Sequence, residues 1–397
     1  MTNVLILYET VEPCNIGAVK TLSMLEKQGV LFERHTIVSK VLNVDLKWSD
    51  VVVFVRSTSP LELNLCRLLV RMGKYVILLI DDDFLSLGDN YGIDGEGYRT
   101  KRKKALSGIL NNVHLLWTCN ENLAKKYCAL GKVSKYVLSN TIIDKGELFS
   151  PRQKGKNEDR IRIVFYVNDG TLDMFNDVLK PVIPMLCERY SNMLSLYLIA
   201  LHPKFEGHEG KMEIVYVPHM PYYEFKYFMG TEHFDIGLAP LLDSDFSKSK
   251  YFNKYIEYTN AGIPAIYSDC TLYRQVIVPE FNGKLCSNNP VSWFDAICDW
   301  IDHPEKRKKV ITNAQKHIYE NFSAEMLLAK LLVDIPQFSS YKTTSNNVRL
   351  LSIRVIFFKI GYFWFRISGW VNTTMVFVRR GDLAAFLKRL NNRIIKL

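Results

Sequence analysis

The chain changes character at SPRQKGKNEDRIRIVFYV (residues 150–167), where a polar, charged segment is followed by an apolar run. Residues 150–160 are typical of a linker, and IRIVFYV is typical of a buried strand. On both sides of the linker, short β-rich runs alternate with helical patterns. This alternation indicates parallel sheets covered by helices, so we expect two α/β domains of similar size, residues 1–150 and 151–335.

Five apolar runs on each side of the linker predict the strands. They are VLILY (4–8), DVVVFV (50–55), YVILLI (75–80), HLLWT (114–118) and YVLS (136–139), then IRIVFYV (161–167), LSLYLIAL (194–201), MEIVYV (212–217), FDIGLAP (234–240) and IPAIYS (263–268). We expect two Rossmann-like domains that face each other across a cleft, because ligands bind at the carboxyl ends of open parallel sheets. One large doubly wound sheet is the alternative.

Positive charge is concentrated at the C-terminal end of the chain. The net charge is +10, and residues 347–397 hold ten Lys and Arg against Asp382, which leaves +1 for the first 346 residues. The near-neutral main part disfavours a nucleic-acid-binding surface. The eight cysteines form no C-x-x-C pair, which favours free thiols in a reducing compartment. VLILY follows the first residues directly, so we expect no signal peptide.

The tail, residues 347–397, is predicted to form basic, aromatic amphipathic helices. Polar residues recur every seven positions from just before the tail and along it, at Ser345, Ser352, Lys359, Arg366, Thr373 and Arg380. A transmembrane span is one alternative, but Lys359 and Arg366 would each cost roughly 2.5–3.5 kcal/mol at its centre. Packing on a partner protein is another. We expect the tail to bind an anionic membrane surface, which makes the protein cytoplasmic and peripheral on the inner face of the cell membrane.

Candidate functional residues in the first domain follow its strands. Gly17 is expected at the turn between the first strand and helix, where backbone N–H groups can meet an anion. Arg56 follows the strand at 50–55, and Asp81, Asp82 and Asp83 follow YVILLI. A carboxylate in the cleft suits accepting a proton from a hydroxyl or holding sugar hydroxyls. Which of the three faces the cleft stays open, and helix capping or a metal site are alternatives, although calcium-loop spacing is missing.

In the second domain, KYFNKYIEYTNAGIP (250–264) carries the most informative pattern. Lys250, Lys254, Glu257 and Tyr258 are expected on one ridge of a helix, since residues three and four apart are neighbours there. Two ammonium groups beside a helix N-terminus suit a diphosphate, and a carboxylate can accept two hydrogen bonds from a ribose diol. An ordinary solvated helix face is the alternative. The chain has neither a P-loop nor a G-x-G-x-x-G after its first strand.

At these residues the chain resembles the group 1, or family 4-like, glycosyltransferases of the GT-B fold, and the resemblance spans residues 1–335. It is strongest at 234–310. The matching segments are FDIGLAPL, Lys254-Tyr-Ile-Glu257-Tyr and NAGIPAIYSD, with weaker similarity in GTLDMFND (170–177) and YVILLIDDDF (75–84). The resemblance implies an acceptor-binding domain at 1–150 and a domain at 151–335 that binds a nucleotide sugar.

The residue roles that we expect from the pattern and the resemblance together fall into three groups. The catalytic residues are Asp81, Asp82 and Lys254; the donor-binding residues are Gly170, Thr171, Lys250, Lys254, Glu257 and Tyr258; the acceptor-binding residues are Gly17, Arg56, Asp82 and Asp83. No metal and no cofactor is expected, because the family stabilises the leaving group with basic residues and helix dipoles.

The reaction implied is transfer of a hexosyl or deoxyhexosyl group, with retention, from a nucleotide diphosphate sugar to a growing surface glycan such as O-antigen or capsule. The acceptor would be lipid-linked or an oligosaccharide. The chain departs from the family at Ser249, where the first glutamate of a pair is usual, and at Met174, where a histidine is common; no Arg/Lys pair follows IRIVFYV. A nucleotide-sugar epimerase of the same fold and a catalytically weak membrane-bound scaffold are the alternatives.

Overall fold

A computed structural model describes residues 1–9, 13–86, 96–139, 148–151, 160–168 and 170–343, together with Ile360 and Trp364. The chain divides into two compact units, Met1–Ser139 with Leu328–Leu397, and Asn140–Leu327. The tail predicted at 347–397 lies outside the described residues apart from Ile360 and Trp364.

The first unit is built on a parallel sheet of six strands in the order β2-β1-β3-β4-β5-β6. The strands are β1 (Thr2–Tyr8), β2 (Leu31–Ile37), β3 (Val51–Val55), β4 (Tyr75–Leu79), β5 (Leu115–Thr118) and β6 (Tyr136–Leu138). Every residue of β3 and β4 is buried. Runs of Val, Leu and Ile suit such positions because helices cover both faces of a parallel sheet.

In the described part of this unit, five helices connect these strands: α1 (Pro13–Lys27), α2 (Asn43–Trp48), α3 (Pro60–Arg71), α4 (Glu96–Leu110) and α5 (Glu121–Leu130). A 3-10 turn, Val38–Lys40, precedes α2. Helices α3, α4 and α5 bury apolar side chains such as Leu65, Leu106 and Leu123 against the sheet. This core fixes the carboxyl ends of β3 and β4, where candidate residues follow.

The second unit contains another parallel sheet of six strands, in the order β12-β11-β10-β7-β8-β9. The strands are β7 (Ile161–Val167), β8 (Leu194–Ala200), β9 (Glu213–Pro218), β10 (Ile236–Ala239), β11 (Ala265–Ser268) and β12 (Lys284–Cys286). Its core includes the fully buried Trp293 and Trp300.

The helices of the second unit follow its strands in turn. They are α6 (Leu172–Met174), a π-helical turn (Phe175–Leu179), α7 (Lys180–Tyr190), α8 (Tyr222–Thr231), α9 (Asp245–Lys248), α10 (Asn253–Asn260), a 3-10 turn (Tyr273–Gln275), α11 (Pro290–Asp302) and α12 (Pro304–Phe322). The first three segments are continuous, so one helical stretch runs from the carboxyl end of β7. Single π-turns inside helices are frequent at functional sites.

Residues 148–151 run along the second unit. The backbone N–H of Phe149 donates to the carbonyl of Asn260 at 2.8 Å, and the carbonyl of Phe149 accepts from Gln315 Nε2 at 2.7 Å. Gly262 has a left-handed backbone (φ +74°), and a Cβ there would lie 2.9 Å from the Phe149 carbonyl oxygen. The glycine therefore lets this segment approach closely.

The chain then returns to the first unit through α13 (Ala324–Asp334) and α14 (Gln337–Ser340). Phe338 is fully buried there, and its ring packs edge-on to Trp117. Thr2 Oγ1 donates to the Tyr341 carbonyl at 3.1 Å, and Lys342 Nζ lies 2.8 Å from Asp50 Oδ2. Since Thr2 begins β1 and Asp50 precedes β3, this segment is tied to the amino edge of the first sheet.

The ten predicted strands are confirmed, as are the two parallel-sheet α/β domains. Two further strands, β2 and β12, were missed, and both lie at sheet edges. Strand β2 (LFERHTI) exposes Phe32, Arg34 and His35, so it has no continuous apolar run. An edge strand with polar residues gives a much weaker sequence signal than a central parallel strand.

Candidate active site

Strand order locates a crevice in the second sheet. From β7 the chain moves outward through β8 and β9, and from β10 it moves in the opposite direction through β11 and β12. Ligands in open α/β sheets bind at such a switch point, outside the carboxyl ends of the strands. The segments that follow β7 and β10 therefore border this crevice.

The predicted donor loop lies at this point. The Thr171 N–H donates to the Asn168 carbonyl at 2.9 Å, and Thr171 Oγ1 accepts from the Asn168 N–H at 2.9 Å. Gly170 and Thr171 thus form a closed turn between β7 and α6. The Thr171 hydroxyl stabilises that turn, and the helical stretch after it points its positive end toward the carboxyl edge.

Lys254 and Glu257 form the central pair of the site. Lys254 Nζ donates to Glu257 Oε2 at 2.7 Å, and the two residues lie one turn apart on α10. Their side chains are 27% and 20% exposed. The ammonium also lies 4.4 Å from the centroid of the Tyr166 ring and 5.3 Å from that of Phe225. Aromatic faces stabilise a cation at these distances. Because Tyr166 is the penultimate residue of β7, the pair is held at the switch point.

Sequence reasoning missed Tyr166. Its polar hydroxyl interrupts the apolar run IVFYV at the carboxyl end of the strand, which was the available signal. Burial, together with the nearby Glu257 carboxylate, raises the pKa of the Tyr166 hydroxyl above its ordinary value. Tyr166 therefore stays neutral at physiological pH and can donate a hydrogen bond.

Lys250 is not on the same helix as Lys254, so the predicted ridge is wrong in this respect. Helix α9 ends at Lys248, and α10 begins only at Asn253. The rings of Tyr251 and Phe252 pack against each other in between, with centroids 4.3 Å apart and planes tilted by 37°, and Phe252 has a non-helical backbone (φ −78°, ψ 49°). Lys250 instead places its ammonium 4.4 Å from the Phe246 ring. Burial of Tyr251 and its packing against the Phe252 ring override the helical spacing.

Tyr258 lies beneath the pair. The side chain is buried, and its hydroxyl donates to the Leu238 carbonyl at 2.9 Å. Its ring centroid is 5.9 Å from the Lys254 ammonium. Because the Tyr258 hydroxyl donates its hydrogen bond to a backbone carbonyl of the same unit, only the ring of Tyr258 is left to contribute to donor binding.

The first sheet has its own switch point, between β1 and β3. Arg56 follows β3 there with a left-handed backbone (φ 56°), which is uncommon for a residue with a side chain. Its guanidinium binds Asp81 in a bidentate pair at 2.6 and 2.7 Å and reaches Asp82 at 3.4 Å. The structure therefore brings together Arg56, Asp81 and Asp82, as expected of residues that follow neighbouring strands.

Asp83 differs from its two neighbours because it is completely buried. It forms an ion pair with Lys126 and accepts from the Leu85 N–H at 3.2 Å. Lys126 also donates to Ser86 Oγ at 3.0 Å. Asp83 thus stabilises the turn that follows β4, whereas Asp81 and Asp82 are partly exposed, at 20% and 26%.

Gly17 is inside α1 and not at the turn before it, so the predicted helix start is wrong. The helix begins at Pro13, and the Gly17 carbonyl accepts from Thr21 Oγ1 at 2.8 Å. Proline is favoured at the first helical position, where its missing N–H has no intrahelical partner to lose. Pro13 was the signal that the sequence offered.

Glu62, in the first turn of the helix that follows Arg56, is a buried carboxylate that the sequence analysis did not select. It is fully buried and accepts hydrogen bonds from Ser57 Oγ at 2.8 Å, the Thr58 N–H at 2.9 Å and the Ser59 N–H at 2.8 Å. Burial and the carboxylate of Glu9 raise the pKa of Glu62 to about 7. The S-x-x-E spacing from Ser59 to Glu62 is a capping box, which was the signal in the sequence.

Two classes of feature are missing from the described part of the chain. Among residues 1–343, with the gaps given above, no group of His, Cys, Asp or Glu could hold a metal ion. Within the same residues no helix is both long enough and apolar enough to cross a membrane.

Solved structures of similar fold include glycosyltransferases. Sucrose-phosphate synthase from Thermosynechococcus elongatus superimposes with a TM-score of 0.58 at 11% identity, covering 85% of this chain and 99% of that chain. HepE from Anabaena, solved with UDP-glucose, gives 0.56 at 10% identity, with 84% and 100% covered. WaaG, described as a glycosyltransferase involved in lipopolysaccharide biosynthesis, gives 0.55 at 11% identity, with 83% and 98% covered.

No protein-family model matches the chain, and the search of curated proteins gives no significant match. The structural matches cover both α/β units and nearly the full length of the proteins compared. The two parallel six-stranded sheets and these matches show that the chain has the GT-B fold of nucleotide-sugar glycosyltransferases.

Proposed function

We propose that the chain is a glycosyltransferase that moves a sugar from a nucleotide diphosphate sugar to a growing, lipid-linked surface glycan. The observation that carries the proposal is the Lys254–Glu257 pair at the switch point of the second sheet. The fold adds support, because proteins that share it, such as HepE, have been solved with UDP-glucose.

The second unit offers the chemistry that a nucleotide diphosphate needs. The diphosphate would compete with Glu257 for the Lys254 ammonium, and Glu257 would then accept hydrogen bonds from the ribose hydroxyls. Lys250, Gly170 and Thr171 are the further donor-binding candidates. Lys254 would stabilise negative charge on the leaving diphosphate without a metal or a cofactor, which fits a retaining, metal-independent transfer.

The first unit offers the acceptor chemistry. Asp81 is neutralised by its bidentate pair with Arg56, whereas the Asp82 carboxylate is 26% exposed and lies 3.4 Å from the edge of the same guanidinium. Asp82 is therefore the carboxylate that we assign to the acceptor hydroxyl, and Asp81 acts by holding Arg56. Asp83 would contribute indirectly, by stabilising the turn after β4. The tail at 347–397 would bind the enzyme to an anionic inner membrane surface.

A catalytically weak membrane scaffold is the second candidate, and one observation favours it. Ser249, at the position where the family usually has a glutamate, is buried and donates to the Asp245 carbonyl at 3.1 Å. The Ser249 hydroxyl caps the end of α9, and a serine provides no carboxylate that could bind a sugar. Turnover of a nucleotide sugar with and without an acceptor separates a transferase from this scaffold and from an epimerase.

The first experiment is to measure binding and turnover of UDP-, GDP- and dTDP-sugars by calorimetry and product release. Lys254→Ala and Glu257→Ala should each weaken binding of one nucleotide sugar at least tenfold, because each removes a charge-assisted contact worth about 1.5–3 kcal/mol. Lys316→Ala and Glu320→Ala are the matched controls, since they break an ion pair on α12 in the same unit. If no nucleotide sugar binds, or if all four variants bind it with equal affinity, the transferase proposal is wrong.

A further inference from the structure

We propose that Glu62 is a positioning residue of the acceptor site, because it fixes the segment that follows Arg56 and so holds the Arg56 guanidinium against Asp81. The inference rests on the acceptor role proposed above for this cluster. Residues 57–59 connect Arg56 to the first residue of α3. The Glu62 carboxyl group binds all three of them. It accepts from Ser57 Oγ at 2.8 Å and from the N–H groups of residues 58 and 59 at 2.9 and 2.8 Å.

Two of these three hydrogen bonds have no part in capping α3. The capping box consists of the Glu62 N–H, which donates to Ser59 Oγ at 3.2 Å, and the Ser59 N–H, which donates to the Glu62 carboxyl group. Ser57 and Thr58 precede the capping residue, so their bonds to Glu62 satisfy no group of the helix. These two bonds instead fix the connection between Arg56 and the helix.

Helix α2 of the same unit shows what a carboxylate at this helical position does when it only caps. Asp45 is also the third residue of its helix, and its side chain accepts from the Leu42 N–H at 3.0 Å. Asp45 is partly exposed, whereas Glu62 is buried. Burial of a carboxyl group costs free energy unless hydrogen bonds compensate for the lost water. Capping alone therefore requires neither the burial nor the additional bonds of Glu62.

The backbone of Arg56 requires support on both sides because it is left-handed (φ 56°). Strained conformations of this kind persist where the surrounding structure over-determines them. On one side, the Arg56 N–H donates to the Leu79 carbonyl at 2.9 Å, next to the pairing of β3 with β4. On the other side, Glu62 binds residues 57–59. When that binding is lost, the Arg56 backbone can relax, and its side chain is then directed away from Asp81.

The position of Arg56 determines the charge that an acceptor meets. The guanidinium neutralises Asp81 at 2.6 and 2.7 Å and lies 3.4 Å from Asp82. If it moves away, the two adjacent carboxylates lose this guanidinium and repel each other more strongly. Loss of Glu62 should therefore impair use of the acceptor, whereas the donor-binding candidates belong to the second unit.

The first experiment measures the position of Arg56 in the full-length protein without any substrate. Phenylglyoxal modifies arginine side chains, and mass spectrometry of the peptides gives the rate at Arg56. Glu62→Ala removes all three bonds, so this rate should rise about tenfold, the factor that corresponds to the net contribution of one hydrogen bond. Glu62→Gln can still accept from the two N–H groups and donate to Ser57 Oγ, so its rate should stay within about twofold of the wild type. Asp45→Ala is the matched control and should also stay within about twofold, because it removes only a capping carboxylate.

The second experiment measures transfer from the nucleotide sugar that the wild type binds most tightly. Decyl glycosides of glucose, galactose and N-acetylglucosamine serve as acceptor probes. For Glu62→Ala, kcat/KM for the glycoside should fall about tenfold while the Kd of the nucleotide sugar stays within about twofold. Glu62→Gln should restore transfer, which a loss of the fold would not allow.

The proposal is overturned if Glu62→Ala leaves the rate at Arg56 unchanged, if Asp45→Ala raises that rate equally, or if Glu62→Ala weakens nucleotide-sugar binding as much as transfer. If the wild type uses no nucleotide sugar, the glycosyltransferase function fails, but the reactivity of Arg56 still decides whether Glu62 positions it. Ser57→Ala replaces Glu62→Ala if that variant does not fold, since it removes one bond and leaves the capping box of α3 intact. It should raise the rate at Arg56 about threefold, and an unchanged rate would overturn the proposal.

Discussion

At the scale of single residues, Glu62 makes stability depend on pH. Its pKa of about 7 lies above the ordinary value of 4.5, so the folded protein holds a proton that the unfolded chain releases. The stabilising contribution is complete below pH 4.5 and is lost as the pH rises toward 7. We expect the free energy of unfolding of the first unit to fall by about 3 kcal/mol across this range. Thermal unfolding followed by circular dichroism from pH 4.5 to 8 measures it.

Glu62→Gln provides the decisive comparison. A glutamine can accept from the Thr58 and Ser59 N–H groups and donate to Ser57, so it reproduces the neutral glutamic acid. The variant should fold and should lose most of the pH dependence between 4.5 and 7. Glu9→Gln should shift the transition to lower pH, since the Glu9 carboxylate helps to raise the pKa of Glu62. Equal pH profiles for wild type and Glu62→Gln would contradict this account.

Residue positions were predictable where local spacing alone decides them. Lys254 and Glu257 are one helical turn apart, and they meet as expected. Arg56 and Asp81 follow adjacent strands, so the sheet brings them together. The orientation of Tyr258 depends on burial against Gly237, and the position of Lys250 depends on the contact between the Tyr251 and Phe252 rings. Such packing is decided by tertiary contacts that no short pattern contains.

At the scale of elements, the end of helix α10 depends on Gly262. An alanine there would have a left-handed backbone, which costs about 1–2 kcal/mol, and its Cβ would lie 2.8 Å from the Ser150 carbonyl oxygen. The backbone of residues 149–151 must then move, so we expect Gly262→Ala to destabilise the second unit by about 2–4 kcal/mol in total. Denaturant unfolding of the purified variant measures this loss.

Gly210→Ala is the matched control for that substitution. Gly210 also has a left-handed backbone (φ +66°), but a Cβ there would meet nothing within 4 Å. It should lose only the conformational cost, about 1–2 kcal/mol. The difference between the two variants isolates the contact with the linker, and equal losses would show that residues 148–151 do not depend on Gly262.

The two strands that the sequence did not predict lie at sheet edges, where one side of the strand has no neighbouring strand. The central strands have apolar runs because both faces of the sheet are covered, and these runs were sufficient to locate ten strands. Strands β2 and β12 at the edges lack such runs. The break between α9 and α10 was missed for the opposite reason, since packing of the buried Tyr251 ring against Phe252 favours a turn despite a helical spacing of charges.

At the scale of the whole molecule, the first unit requires the end of the described chain. A protein that stops after Ile335 loses Phe338, which is fully buried, and leaves Asp50 without its contact to Lys342. We expect the first unit to lose about 3–5 kcal/mol, similar to deletion of a buried phenylalanine side chain. Denaturant unfolding should show an earlier transition for the first unit and an unchanged transition for the second.

A protein that stops after Thr343 is the comparison for this truncation. It keeps the contacts of Phe338, Tyr341 and Lys342, so its first unit should unfold like that of the full-length chain. If both truncated proteins were equally unstable, the stabilising contribution would lie beyond residue 343.

The return of α14 to the first sheet also determines the order in which the molecule can form during synthesis. Domains generally fold in the order in which they leave the ribosome, N-terminal first. Here the second unit is complete once residue 327 has emerged, while the first unit still waits for Phe338 and Lys342. The half of the protein that is made first is therefore finished last, and until then its nascent sheet keeps an uncovered apolar site that chaperones can recognise.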